Sequence, residues 1–266
     1  MFTIFQWRMV SRRHFYIAGS VLRARYIDLI KPFVQHPRAL SDALRARGAV
    51  ISGSLALQFF LPSDEWKPSD MDIYVSHSEF AELTNTLEND PSLQFTPHVG
   101  RSPTERSTSY SLEVTEIRRY TTPTNMLVDV IRSRRDSPVS PLVQFWTSLL
   151  VNFVFPDRCG SAYPKMMFNG SGYVKEFGMT AQDDAAMRKY MVRPFQGSKV
   201  FSFVPELWGT WRDPSYWVRD YFSDRSALVV DFRARPSDSS PPMPVHPQSD
   251  GWKLVIPFPT GAYHLL

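Results

Sequence analysis

Three groups of residues carry the polar chemistry of this chain: the Gly53-Ser54 pair, the Asp70-Met71-Asp72 triplet, and Asp129 standing alone in an apolar run. Side chains of an extended strand alternate with a period of two, so Asp70 and Asp72 share one face with Cα atoms about 7 Å apart. An acid from a neighbouring strand completes a trio. Hard oxygen donors suit a divalent cation. Three carboxylates can hold two Mg²⁺ ions ~3.5–4 Å apart, one activating an attacking oxygen and one stabilising a triphosphate and its leaving group. Gly53 and Ser54 complement them at a helix start, where free backbone N–H groups and a hydroxyl bind phosphate oxygens. Asp-x-Asp by itself is more often a solvated turn or a cap, and it is the combination that points to a site. Asp129 is flanked by Leu127, Val128, Val130 and Ile131. An ionised carboxylate there bears a desolvation penalty unless it meets a cation or lies on a sheet edge facing water.

The elements that must position these residues are readable around them. Arg38 to Arg47 are good helix formers ending at Gly48, a natural C′ residue. Ala49-Val50-Ile51-Ser52 predicts a short buried strand, and Gly53-Ser54 a turn into a helix over Leu55 to Phe60, closed by Pro62. Met71 to Val75 predicts a strand with Met71, Ile73 and Val75 on one face and Asp70, Asp72 and Tyr74 on the other. Ser76 or Ser78 caps a helix through Phe80, Leu83 and Leu87. Leu112 to Tyr120 and Met126 to Ile131 form a hairpin about Pro123-Thr124-Asn125, giving a mixed sheet with helices from residues 38 to 90 packed on it. Farther on, Ser140-Pro141 predicts a helix through Phe155. Thr180 with Asp183 resembles a capping box for a helix over 181–192, and Trp252 to Ile256 predicts a last strand.

Val50-Ile51-Ser52-Gly53-Ser54, then Asp70-Met71-Asp72-Ile73, then Leu127-Val128-Asp129-Val130 resembles the signature of the nucleotidyltransferase superfamily with a polymerase-β-like catalytic core. The pattern there is an apolar residue, Gly, Gly or Ser, a gap, an acid-apolar-acid-apolar motif and a third acid on a later strand. The resemblance covers residues 38 to 132, with a looser likeness to fungal members of the superfamily. It implies a mixed-sheet core with packed helices (38–135) in an α+β fold, while the residue pattern by itself places a basic helical segment (1–37) before it. A mainly helical, aromatic-rich region (136–266) completes the chain, with a Pro/Ser-rich loop at 236–251. It also implies two divalent ions, Mg²⁺ or Mn²⁺, and transfer of a nucleoside monophosphate from an NTP to an acceptor, with release of pyrophosphate. RNA, a protein and a small molecule are all open as acceptors. By matching position, Gly53 and Ser54 contact the triphosphate, Asp70 and Asp72 ligate metal, and Asp129 ligates the catalytic metal and helps activate the acceptor. Fifteen residues, 55 to 69, separate Ser54 from Asp70, so the stretch Ser63 to Pro68 must loop out for the alignment to hold.

Two other functions compete. Glycosyltransferases use Asp-x-Asp to hold Mn²⁺ against a nucleotide-sugar, but need a βαβ series ahead of the motif, where this chain offers one convincing strand. A non-catalytic descendant of the same fold, used for binding or scaffolding, would leave three converging carboxylates to repel one another. By that argument Asp72→Asn and Asp129→Asn each leave the metal-free protein as stable as before or more so.

The 266 residues are 43% hydrophobic and 21% charged, an ordinary globular composition that excludes collagen-like, coiled-coil and wholly disordered chains. A net charge of +4 permits a nucleic-acid partner without arguing for one. The longest apolar stretch, Phe145 to Phe155, is too short to cross a bilayer, so a soluble protein without a membrane partner is expected. Its single cysteine, Cys159, excludes an intrachain disulfide and fits a reducing compartment, cytoplasmic or nuclear. Residues 1 to 27 hold five arginines and no acid, a pattern shared by mitochondrial presequences and by helices with a basic solvated face. Trp208, Trp211, Tyr216, Trp217, Tyr221 and Phe222 crowd around Arg212 and Arg219, a composition for core packing or for stacking a nucleobase.

Overall fold

The first helix, α1 (Arg12–Ile30), starts where the Ser11 hydroxyl accepts a hydrogen bond from the His14 N–H at 3.3 Å. In the computed structural model, residues 4–5, 11–99, 113–174, 180–195, 199–205 and 228–232 are described. Ala18, Leu22, Tyr26 and Ile30 recur every four residues along α1 and are all buried. Its arginines are partly drawn in as well: Arg25 donates to the Gln58 carbonyl at 3.1 Å, and its guanidinium lies 5.7 Å from the Phe59 ring. The basic segment is thus part of the core's wall.

Helix α2 (Pro37–Ala46) has proline in its first turn and is followed by Gly48 at φ +59°. That left-handed conformation costs glycine nothing and terminates the helix. The chain then enters β1 (Val50–Ser52), α3 (Gly53–Phe60), β2 (Asp70–Val75) and α4 (Phe80–Asn89). Ser76 Oγ accepts from the Glu79 N–H at 3.3 Å ahead of α4. Between α3 and β2 the extra residues do loop out. Gln58 Nε2 donates to the carbonyls of Ser63 and Trp66, both at 2.9 Å, and ties that loop to the helix it leaves.

After β3 (Thr96–Pro97), strands β4 (Val114–Thr121) and β5 (Leu127–Ser133) form the expected hairpin, with Asn125 at φ 61° in the turn. Downstream come β6 (Asn152–Phe155), β7 (Arg158–Ser161), a short helix α5 (Pro164–Phe168) and β8 (Ser171–Val174). Helix α6 (Ala181–Met191) precedes β9 (Pro194–Phe195), β10 (Lys199–Val200), β11 (Ser202–Pro205) and β12 (Leu228–Asp231). The main sheet is mixed and eight-stranded, in the order β12-β7-β6-β1-β2-β5-β4-β3. Within it β2 and β5 run parallel, and the other adjacent pairs are antiparallel. On the face carrying Met71 and Ile73, α4 packs closely: Tyr120 hydrogen-bonds Glu88 at 2.7 Å, and Arg118 lies 5.0 Å from the Phe80 ring.

The expectation of a mainly helical region beyond residue 135 does not hold for its described part. Ser140–Gln144 and Ser148–Leu150 are single 3₁₀ turns, and the rest of the supposed helix is strand β6. Short apolar runs fit a strand or a buried helix equally by pattern. Here the aromatic and β-branched run Phe153-Val154-Phe155 and the Pro156-Asp157 turn decide for a hairpin, which β1 captures by pairing Ile51 with Val154. The helix at 181 does form, with a full capping box between Thr180 and Asp183. The aromatic cluster from Trp208 to Phe222, the loop at 236–251 and the strand at Trp252 lie outside the described residues. Among the described residues, no helix is long and apolar enough to cross a membrane.

Candidate functional site

Register brings the sequence-selected residues together. In the β1–β2 ladder Ser52 lies opposite Asp72, and in the β2–β5 ladder Asp70 pairs with Leu127 and Asp72 with Asp129. Adjacent strands are ~4.8 Å apart, so Asp70, Asp72 and Asp129 share one face within a few ångströms. All three line a cleft of about 510 Å³ together with Gly53, Ser54 and Arg119. Met71, Ile73 and Val128, one residue out of step, are buried on the opposite face.

Gly53 is needed at the cleft floor for two reasons. Its φ is +68°, and a Cβ there would sit 2.4 Å from Asp72 Oδ2. Gly53→Ala therefore forces the carboxylate aside as well as holding a non-glycine residue in a left-handed conformation. The backbone term alone should lower stability by about 1–2 kcal/mol, which thermal unfolding would detect. Ser52, the N-cap of α3, makes no capping bond, because its hydroxyl donates to the Asn152 carbonyl at 2.6 Å. The first turn of α3 is thus left without a side-chain cap, and its Gly53 and half-exposed Ser54 line the cleft.

Asp129 meets a cation, and that cation is Arg119. The guanidinium is bidentate, with Nε 2.7 Å from Oδ1 and Nη2 2.6 Å from Oδ2. Asp129 is buried at 7% exposure on a strand flanked by β2 and β4, so the alternative of a water-facing edge does not hold. The pairing also raises the Arg119 pKa, mainly through the hydrogen bond to Asp129. Asp72 is in the opposite condition. It sits deep on the cleft floor with one side open to the cleft, and no described residue donates a hydrogen bond to its carboxylate. Burial, then the charges of Asp70 and Asp129, push its pKa well above the usual carboxylate range, against a smaller pull from Arg119 and Lys189.

The far wall comes from residues that the motifs do not mark. Helix α6 presents Gln182, Ala186, Lys189 and Tyr190 to the cleft at helical spacing. Lys189 is exposed and forms no ion pair among the described residues. Tyr190 packs 5.9 Å from Trp146, and Phe145 packs edge-on to Tyr74 at 6.1 Å, giving the cleft an aromatic side. Arg119 was discoverable from the hairpin, since a turn about residue 124 sets 119 opposite 129. Lys189 had no such signal.

Among the described residues, no three His, Cys, Asp or Glu side chains are gathered so as to hold a metal ion as they stand. The donor set nevertheless fits a hard divalent cation. It is all carboxylate, Asp72 lacks a hydrogen-bond donor, and the glycine opposite leaves its Oδ2 room. Asp129, the third carboxylate on that face, is held by Arg119. Compared with known proteins, the chain matches no family model, no curated protein and no solved structure.

Proposed function

We propose that the chain is a metal-dependent nucleotidyltransferase, moving a nucleoside monophosphate from an NTP to an acceptor with release of pyrophosphate. The observation that carries this reading is the in-register placement of Asp72 beside Asp129 on the face of Asp70, at the mouth of the Gly53-Ser54 turn. Divalent ions, Mg²⁺ or Mn²⁺, would be held by Asp70, Asp72 and Asp129 and would supply charge neutralisation at the phosphates. The uncapped N–H groups of α3 and the Ser54 hydroxyl bind the triphosphate oxygens, as helix N-termini do. The acceptor oxygen attacks the α-phosphorus, the bond to the bridging oxygen breaks, and the acceptor proton passes to the Asp129 carboxylate. The aromatic side made by Trp146 and Tyr190 shields one wall of the cleft from water.

Ser54→Ala tests the phosphate cradle. One hydrogen bond to a charged group is lost, so NTP should bind roughly tenfold more weakly in the presence of Mg²⁺. Stability should hardly change, because the hydroxyl has no partner among the described residues. Calorimetric titration with each NTP and Mg²⁺ reads both the wild-type affinity and this loss; equal affinity in the two proteins removes the turn from the site.

The Arg119–Asp129 pair favours a second reading, a non-catalytic protein of the same fold. A guanidinium offsets part of the repulsion that would otherwise argue against an idle carboxylate trio. In that case NTP binding, where it occurs, is indifferent to Mg²⁺. The glycosyltransferase alternative gains no support, since β1 is the one strand before Asp70 among the described residues and runs antiparallel to β2.

A further inference from the structure

We propose that Arg119 is a displaceable latch on the acidic site: it occupies Asp129 in the metal-free protein and releases it when a divalent cation enters. This inference rests on the metal-binding reading above.

Four observations carry it. Both Asp129 oxygens are taken by one guanidinium, at 2.7 and 2.6 Å, so the carboxylate cannot also meet a divalent ion at ~2.0–2.1 Å without two cations crowding the same oxygens. The Arg119 guanidinium makes no other hydrogen bond or ion pair among the described residues, so Asp129 is its one direct partner there. It lines the cleft and is 23% exposed, so the guanidinium can swing away without opening the core. Its single charge also leaves the trio undercompensated. Asp72 and Asp70 accept no hydrogen bond from it and feel only its charge, and Lys189, whose charge also reaches Asp72, stands exposed on α6. A released guanidinium stays beside the cleft, where the anionic phosphates accompanying the cation can accept it.

The test uses the full chain and two probes, Mn²⁺ binding followed by electron paramagnetic resonance and the Arg119 Nε–H signal in a ¹⁵N spectrum. In the wild type, added Mg²⁺ should shift the Arg119 Nε–H away from its ion-paired position as the site fills. Arg119→Gln should bind Mn²⁺ about tenfold more tightly, since the ion no longer competes for Asp129. Arg119→Lys keeps the charge but loses the fork, and should fall between the two; it also serves where the glutamine variant does not fold. If the wild type and both variants bind Mn²⁺ equally and the Nε–H signal stays in place, the latch is excluded while the metal site stands. If no variant binds Mn²⁺ at millimolar concentration, the latch and the metal-dependent reading fall together.

Discussion

Asp72→Asn should abolish nucleotidyl transfer and, in the same protein, raise the melting temperature of the metal-free form at neutral pH. The loss of activity should exceed the roughly 10–100-fold typical of partners one layer outside a metal, because Asp72 would touch the ion itself. The stability gain follows from the environment of its carboxylate. Burial and two neighbouring acids raise its folded-state pKa well above the ~3.9 of an unfolded chain. An acid so shifted favours the fold while it is protonated. That contribution is full below pH ~3.9 and is lost as the pH rises through the raised folded-state value. Asparagine does not titrate, so the stability gap between variant and wild type should be small near pH 4 and widen upward. Mg²⁺ should then stabilise the wild type and leave Asp72→Asn nearly unmoved, because only a state that binds the ion gains from it. Unfolding scans from pH 4 to 8, with and without Mg²⁺, check all three trends; a variant less stable than wild type at neutral pH would contradict them.

Asp129→Asn should also abolish transfer, but with the opposite effect on stability. Repulsion alone would affect the two aspartates alike; the bidentate bond from Arg119 to Asp129 separates them. Removing the charge from one member of a largely buried pair leaves the guanidinium without its counter-ion. The cost should be roughly 2–3 kcal/mol, less than for a fully buried pair because Arg119 reaches solvent. For a chain of this size that lowers the melting temperature by roughly 5–10 °C. Calorimetry of the two asparagine variants side by side therefore reads opposite signs from one site. Combining Asp129→Asn with Arg119→Gln should recover part of the loss, since the unpaired charge is then gone.

The part of the site legible in the sequence is the part set by short-range periodicity. Alternation along β2 places Asp70 and Asp72 on one face, and the Gly53-Ser54 turn follows from a strand that ends at Ser52. Arg119 was equally within reach, because a tight turn at residues 122–126 fixes the hairpin register. It carries no signal of its own, since only the register sets it against Asp129. Lys189 and Tyr190 belong to a helix whose capping box is plain, yet its docking over the cleft depends on packing between distant segments such as Trp146 and Phe201. The run from Ser140 to Phe155 misled for a related reason. Its apolar character says that it is buried, and the strand state comes from the hairpin with β7 and from pairing with β1, about a hundred residues earlier in the chain.

Nucleotidyl transfer by this chain is read most directly from the movement of label. Each α-labelled NTP is incubated with the purified protein and Mg²⁺ or Mn²⁺, in separate reactions with total RNA, protein extract and small-molecule hydroxyl acceptors. The expected result is label on one acceptor class and stoichiometric pyrophosphate, both absent without metal and in Asp72→Asn. Label that remains on the nucleotide with every acceptor, together with NTP binding unaffected by metal, would contradict a nucleotidyltransferase and leave the cleft as a binding site.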